Sequence, residues 1–187
     1  MAKLKMNPVM ENISGKIGDL VFRRYEGQVV IARKPDTEGR VQSASQLGHQ
    51  ERFRLAAVYA KAMLGDPALR AVYEAAAKLK NKPVFALAVG DFLNAPTVDD
   101  IDLRGYSGQV GEKILIRATD DIEVVSVAVA IRNAAGGVQE QGAAVFDQGS
   151  WRYTAQTAMT PLPVSFAVDV TAMDRPGNKT VKTLVKA

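Results

Sequence analysis

One histidine and no cysteine leave this chain few routes to catalysis. His49 sits between Gly48 and Gln50, where an imidazole more often packs or faces solvent than acts as a base. A Ser-His-Asp relay would have to use it, and no Gly-x-Ser-x-Gly elbow accompanies it. A zinc site of the usual kind needs four ligands that this residue set does not assemble. Gly15-Lys16-Ile17-Gly18 lacks the spacing and the Lys-Ser/Thr ending of a phosphate loop. The expectation is therefore a protein that is not an enzyme, with no catalytic residue, no cofactor and no metal. A carboxylate pair that meets only in the fold stays open.

Four other residue sets could carry chemistry or binding. Asp99, Asp100, Asp102, Asp120, Asp121, Glu123 and Asp174 are hard oxygen ligands that suit calcium. No twelve-residue loop with acids at alternate positions exists, so they read as turn residues bonding their own backbone. Arg23, Arg24, Arg33, Lys34 and Arg40 form a candidate basic patch around residues 19–40. Lys78, Lys80 and Lys82 fall where a helix C-terminus favours cations. Nucleic acid is a candidate partner of the basic residues without being the favoured one, because no base-reading motif accompanies them. Trp151 and Tyr153 share one face of a strand and read as sandwich core, with a sugar- or protein-binding pair as the alternative.

The elements that must position these residues follow from pattern. Residues 19–34 alternate as a β-hairpin does, with Leu20 and Phe22 on one arm, Val29 and Ile31 on the other, and Glu26-Gly27 as the turn. Ser14-Gly15-Lys16-Ile17-Gly18 reads as a loop. A lone hairpin is marginal in water, so this one must dock. Leu20, Phe22, Val29 and Ile31 are accordingly the candidate contact between subunits.

Ser43 and Gln46 have capping-box spacing and open a helix ending near Gly65. Its apolar positions are Leu47, Phe53, Ala56, Ala57, Tyr59, Ala60 and Met63. Asp66-Pro67 starts a second helix with Leu69, Val72, Tyr73, Ala76 and Leu79 as its apolar side. Pro83 precedes a third, from Phe85 to Leu93.

From Val98 onward the helical period gives way to seven β segments: 99–104, 112–118, 124–133, 138–146, 151–156, 164–173 and 180–186. Val125, Val127, Val129 and Ile131 should share one face, as should Phe166, Val168, Val170 and Ala172. Seven short strands in this span suggest a sandwich. The expected fold is α+β: an N-terminal β-hairpin plus about three helices over residues 1–95, then a seven-stranded immunoglobulin-like β-sandwich over residues 96–187.

Charge is uneven between these parts. Residues 1–95 hold fifteen Lys or Arg against nine Asp or Glu; residues 96–187 hold nine against eleven. The halves thus carry +6 and −2, which suits head-to-tail contact between copies. Lys3 and Lys5 are followed by no apolar run, so no signal peptide is expected, and no stretch approaches a membrane span. A chain made in the cytoplasm is expected, within a virion or an exported assembly if it leaves.

Two resemblances sharpen this. Asp120-Asp121-Ile122-Glu123-Val124, Gly142-Ala143, Trp151-Arg152-Tyr153 and Val170 through Asn178 resemble bacterial immunoglobulin-like domains of large extracellular and viral proteins. That likeness implies a fold and little about function. Ser14 through Gly18, Arg33-Lys34-Pro35, and Gln46 through Gln50-Glu51-Arg52-Phe53 are similar to an uncharacterised bacterial and phage-associated family, in which a glycine-rich hairpin precedes helices. That likeness implies an assembly role and transfers no catalytic residue. The function expected is a structural subunit that forms a homo-oligomer or homopolymer.

Overall fold

The computed structural model describes residues 2–3, 14–25, 28–36, 41–159 and 165–186. The chain divides into two compact units, Met1–Ala44 and Ser45–Ala187. The boundary expected near residue 95 falls inside the second unit.

The first unit is a four-stranded antiparallel sheet. Its strands are β1 (Ala2–Lys3), β2 (Gly15–Ile17), β3 (Leu20–Tyr25) and β4 (Gln28–Arg33), in the order β1-β4-β3-β2. The β3–β4 hairpin is the one the alternation predicts, and its register closes with Tyr25 opposite Gln28. The expected turn residues Glu26 and Gly27 lie outside the described residues. The stretch read as a loop is different: Gly15–Ile17 pairs with β3, Ile17 opposite Leu20. Gly18 makes this strand possible. Its φ of +56° is left-handed, which a two-residue reversal needs and glycine adopts without a steric cost.

Three helices open the second unit: α1 (Ala44–Gly65), α2 (Pro67–Lys80) and α3 (Val84–Leu93). α1 begins directly after Ser43, as the capping spacing predicts. Asp66 caps α2, its Oδ1 accepting from Ala68 N at 2.8 Å and Leu69 N at 3.2 Å. α2 ends at Asn81, whose φ of +50° turns the chain out of the helix. The apolar sides are narrower than their periodicity predicts. On α1 only Ala56 and Ala60 are buried, and Leu47 and Phe53 are exposed. On α2 Tyr73 and Ala77 are buried, while Leu79 is 89% exposed. α3 is short and apolar apart from Gly90 and Asp91, so it supplies the centre of the helical cluster.

The sandwich has eight strands rather than seven: β5 (Thr97–Asp102), β6 (Lys113–Thr119), β7 (Val124–Asn133), β8 (Val138–Ala143), β9 (Val145–Asp147), β10 (Ser150–Thr154), β11 (Phe166–Asp174) and β12 (Lys179–Lys186). One sheet runs β5-β6-β10-β9 and the other β12-β11-β7-β8. This is the immunoglobulin-like order, with one strand added beside β7. The expected single segment 138–146 breaks at Ala144. Ala144 N still donates to Val127 O at 2.8 Å, yet the next residue, Val145, pairs with Arg152 of the other sheet. The chain changes sheets there because its residues are small. A Cβ on Gly142 would lie 2.9 Å from the ring of Tyr153, so only glycine passes.

Alternation on β7 and β11 produces the core, with Val127, Val129, Ile131, Val168, Val170 and Ala172 all buried. Val125 departs from it and is 47% exposed. The β11–β7 register shifts between Met173 and Asp174, and this bulge ends the inward alternation before Val125. No helix among the described residues is long and apolar enough to cross a membrane.

Candidate functional site

The register of the first unit decides which of its side chains share a face. Residues directly opposite one another in an antiparallel pair point the same way. Phe22 lies opposite Ile31, Arg24 opposite Val29, and Leu20 opposite both Arg33 and Ile17. Leu20, Phe22, Val29 and Ile31 therefore form one continuous face, and Ile17 extends it. Val29 is buried, Phe22 and Ile31 are half-buried, and Leu20 and Ile17 are 42% and 64% exposed. Sequence reasoning missed Ile17 because its strand looked like a loop.

The same register divides the basic residues. Arg24 and Arg33 sit at the ends of the apolar face, while Arg23, opposite Val30, lies on the other side. Lys34 follows the strand end and donates its backbone N–H to Asp19 O at 2.6 Å. Arg40 lies outside the described residues.

A second feature lies in the helices. From Ala44 to Leu55, three turns of α1, every side chain is exposed. Leu47, Phe53 and Leu55 are among them, and Val58 continues the exposed surface. An open groove of about 900 Å³ runs along this side, lined in part by Phe53, Ala57, Val58, Lys61 and Leu93. His49 is on its wall.

The most buried polar group is Asp91 on α3, fully enclosed. Its Oδ2 accepts from Tyr73 Oη at 2.6 Å and from Tyr59 Oη at 3.1 Å. Burial raises the Asp91 carboxyl above its usual range against the pull of those two bonds, with Asp120 and Asp174 adding to the rise. Burial likewise pushes the Tyr59 phenol up to about 12 and the Tyr73 phenol higher still. The arrangement joins α1, α2 and α3 at one point. A single acid inside the apolar run Val84–Leu93 was its only signal in the sequence.

Most of the other carboxylates are held by their neighbours, whereas Asp120 keeps one buried oxygen, Oδ1, without a partner among the described residues. Asp102 accepts from both Nε and Nη2 of Arg104. Asp121 accepts from Lys80 Nζ at 3.0 Å and Asn94 Nδ2 at 2.7 Å, and Arg175 donates to Glu123 at 2.7 Å. Asp174 accepts from the backbone N–H groups of Gly177 and Asn178. Among the described residues no three acidic or imidazole groups are placed to hold a metal ion. Trp151 and Tyr153 are core, 8% and 1% exposed, and the exposed aromatic beside them is Phe146, 5.3 Å from the indole.

No protein-family model matches the sequence. No curated protein matches it either. Solved structures similar to it include an engineered protein, at 19% identity and a TM-score of 0.36, over 48% of this chain and 19% of that one. Another is CopC from Methylosinus trichosporium OB3b, at 12% identity and a TM-score of 0.35, over 48% of this chain and 89% of CopC. A third is a conjugative transposon lipoprotein from Bacteroides eggerthii, at 10% identity and a TM-score of 0.27, over 48% and 92% of the two chains.

Proposed function

We propose that the protein is a non-enzymatic assembly subunit that associates with copies of itself through its N-terminal part, in a filament, a virion or a surface lattice of bacterial or phage origin. One observation carries this reading: the register of the first unit gathers Ile17, Leu20, Phe22, Val29 and Ile31 on one face of a small sheet, with Ile17 and Leu20 left open to solvent. Contiguous exposed apolar surface of this kind is how interaction sites announce themselves on otherwise polar proteins. The charge difference between the two halves, +6 against −2, supports contact between unlike surfaces of neighbouring copies. The sandwich serves as the spacer or displayed part.

The test is sizing with light scattering over a concentration series, followed by electron microscopy of the concentrated full chain. Species that grow with concentration are expected. The double substitution Ile17→Gln/Leu20→Gln should raise the concentration needed at least tenfold, since burying even one such side chain contributes about 1.5–3 kcal/mol and about 1.4 kcal/mol is a factor of ten. Monodisperse monomers at every concentration overturn the proposal.

A further inference from the structure

We infer that α1 pairs with α1 of a second copy, antiparallel, about a two-fold axis close to Arg52 and Phe53. This inference rests on the self-association proposed above and names one contact for it. It begins from the three turns of α1 that bury nothing, Ala44 to Leu55. Helices in proteins owe most of their stability to a packed face, and no side chain of these turns is buried among the described residues.

The exposed side opposite Ala56 and Ala60 carries Leu47, Glu51, Arg54 and Val58. Their spacing of four, three and four residues is that of a coiled-coil seam, so all four lie in one line along the helix. The line has apolar ends and a charged middle. Leu47 is 52% and Val58 57% exposed. Arg54 donates to Glu51 at 2.6 Å and 2.8 Å, and both side chains remain more than half exposed.

That order is self-complementary only when reversed. An isologous contact requires that residue i meet j while j meets i. With the helices antiparallel, Leu47 of each copy meets Val58 of the other, and Glu51 of each meets Arg54 of the other. Every apolar group finds an apolar partner and every charge its opposite. A parallel pair would place Arg54 on Arg54 and Glu51 on Glu51. The groove beside the seam, with Phe53 and Leu93 on its walls, gives the partner helix room on one flank.

The absence of native cysteine makes the geometry directly testable. Leu47→Cys and Val58→Cys are prepared separately in the full chain. Both positions are exposed, and far-UV circular dichroism checks that each variant folds. Mixed under mild oxidation, they should form a disulfide between the two different variants, while each alone stays largely uncrosslinked. Self-crosslinking of Leu47→Cys would show a parallel pair and overturn the inference. Oligomers that grow with concentration but give no 47–58 crosslink overturn it while leaving self-association intact. A chain that is monomeric throughout removes both. A second measurement uses charge. Glu51→Arg should weaken the dimer on the order of tenfold, since it turns two attractive pairs repulsive, and Glu51→Arg/Arg54→Glu should restore it. No rescue by the double exchange counts against the pairing.

Discussion

Glu112 holds the turn ahead of β6 with a single carboxylate. Its Oε2 accepts from Gln109 N at 2.9 Å and Ser107 N at 2.6 Å, and its Oε1 accepts from Ser107 Oγ at 2.7 Å. These bonds, the Gln109 N–H foremost, hold its carboxyl down to about 2. The folded value lies below the unfolded one of about 4.5, so the bonds stabilise fully above pH 4.5 and their contribution fades as pH falls toward 2. Denaturant titrations across that window should show Glu112→Gln with a shallower loss of stability than the parent chain. Asp102, held at about 2 by Arg104, works with the same sign, so part of the slope should remain. An unchanged slope in the Gln variant would show that Glu112 does not stabilise the turn. Little of this was readable in the sequence. Glu112 reads as an ordinary strand-start residue, and Asp91 gains its meaning only from Tyr59 and Tyr73 on two other helices. By contrast, the shared face of Leu20, Phe22, Val29 and Ile31 was readable, because strand alternation and a two-residue turn together fix it.

At the scale of elements, β12 shows how a strand can break its own pattern to close a fold. Lys182 lies opposite Val170 and Lys186 opposite Phe166, so both stand at inward positions where apolar residues are expected. Each long stem covers the open side between the sheets; Lys182 carries its ammonium to β5 and Lys186 to the loop between β5 and β6. Lys182 Nζ donates to Val98 O at 3.0 Å and Asp99 O at 2.6 Å, and Lys186 Nζ donates to Tyr106 O at 3.0 Å. Lys182→Met keeps the stem and removes the donors. It should cost about 0.5–1.5 kcal/mol, the net contribution of hydrogen bonds that stay partly open to solvent, read by chemical denaturation. A neutral result would mean that the stem alone seals this edge. Periodicity places β12 correctly but cannot reveal that its lysines reach across. The same limit applies to α1, whose apolar positions Leu47 and Phe53 look like core in the sequence and are exposed in the structure. An amphipathic pattern states that a face seeks a partner and not which chain provides it.

At the scale of the whole molecule, residues 45–187 form one unit although their sequence reads as two. Asn178, in the turn between β11 and β12, is the link. Its Nδ2 donates to Asn94 O at 2.9 Å and Phe92 O at 3.1 Å, at the end of α3, and to Asp174 Oδ2 at 2.8 Å. Lys80 and Asn94 reach Asp121 from the helical side as well. Helices and sandwich should therefore melt together. Trp151, the only tryptophan, reports the sandwich and the 222 nm ellipticity reports the helices. Their midpoints should coincide in the parent chain and fall together by several degrees in Asn178→Ala. Separate transitions in the parent chain would contradict a single unit. The sequence by itself determined the element order, the sandwich class and the absence of cysteine chemistry, because periodicity, turn residues and composition are local properties. Only the tertiary structure decided the eighth strand, the strand from Gly15 to Ile17, and the joining of helices to sandwich. Each of those depends on which backbone or side-chain groups meet in the fold, and the pattern of a single segment does not encode such pairings.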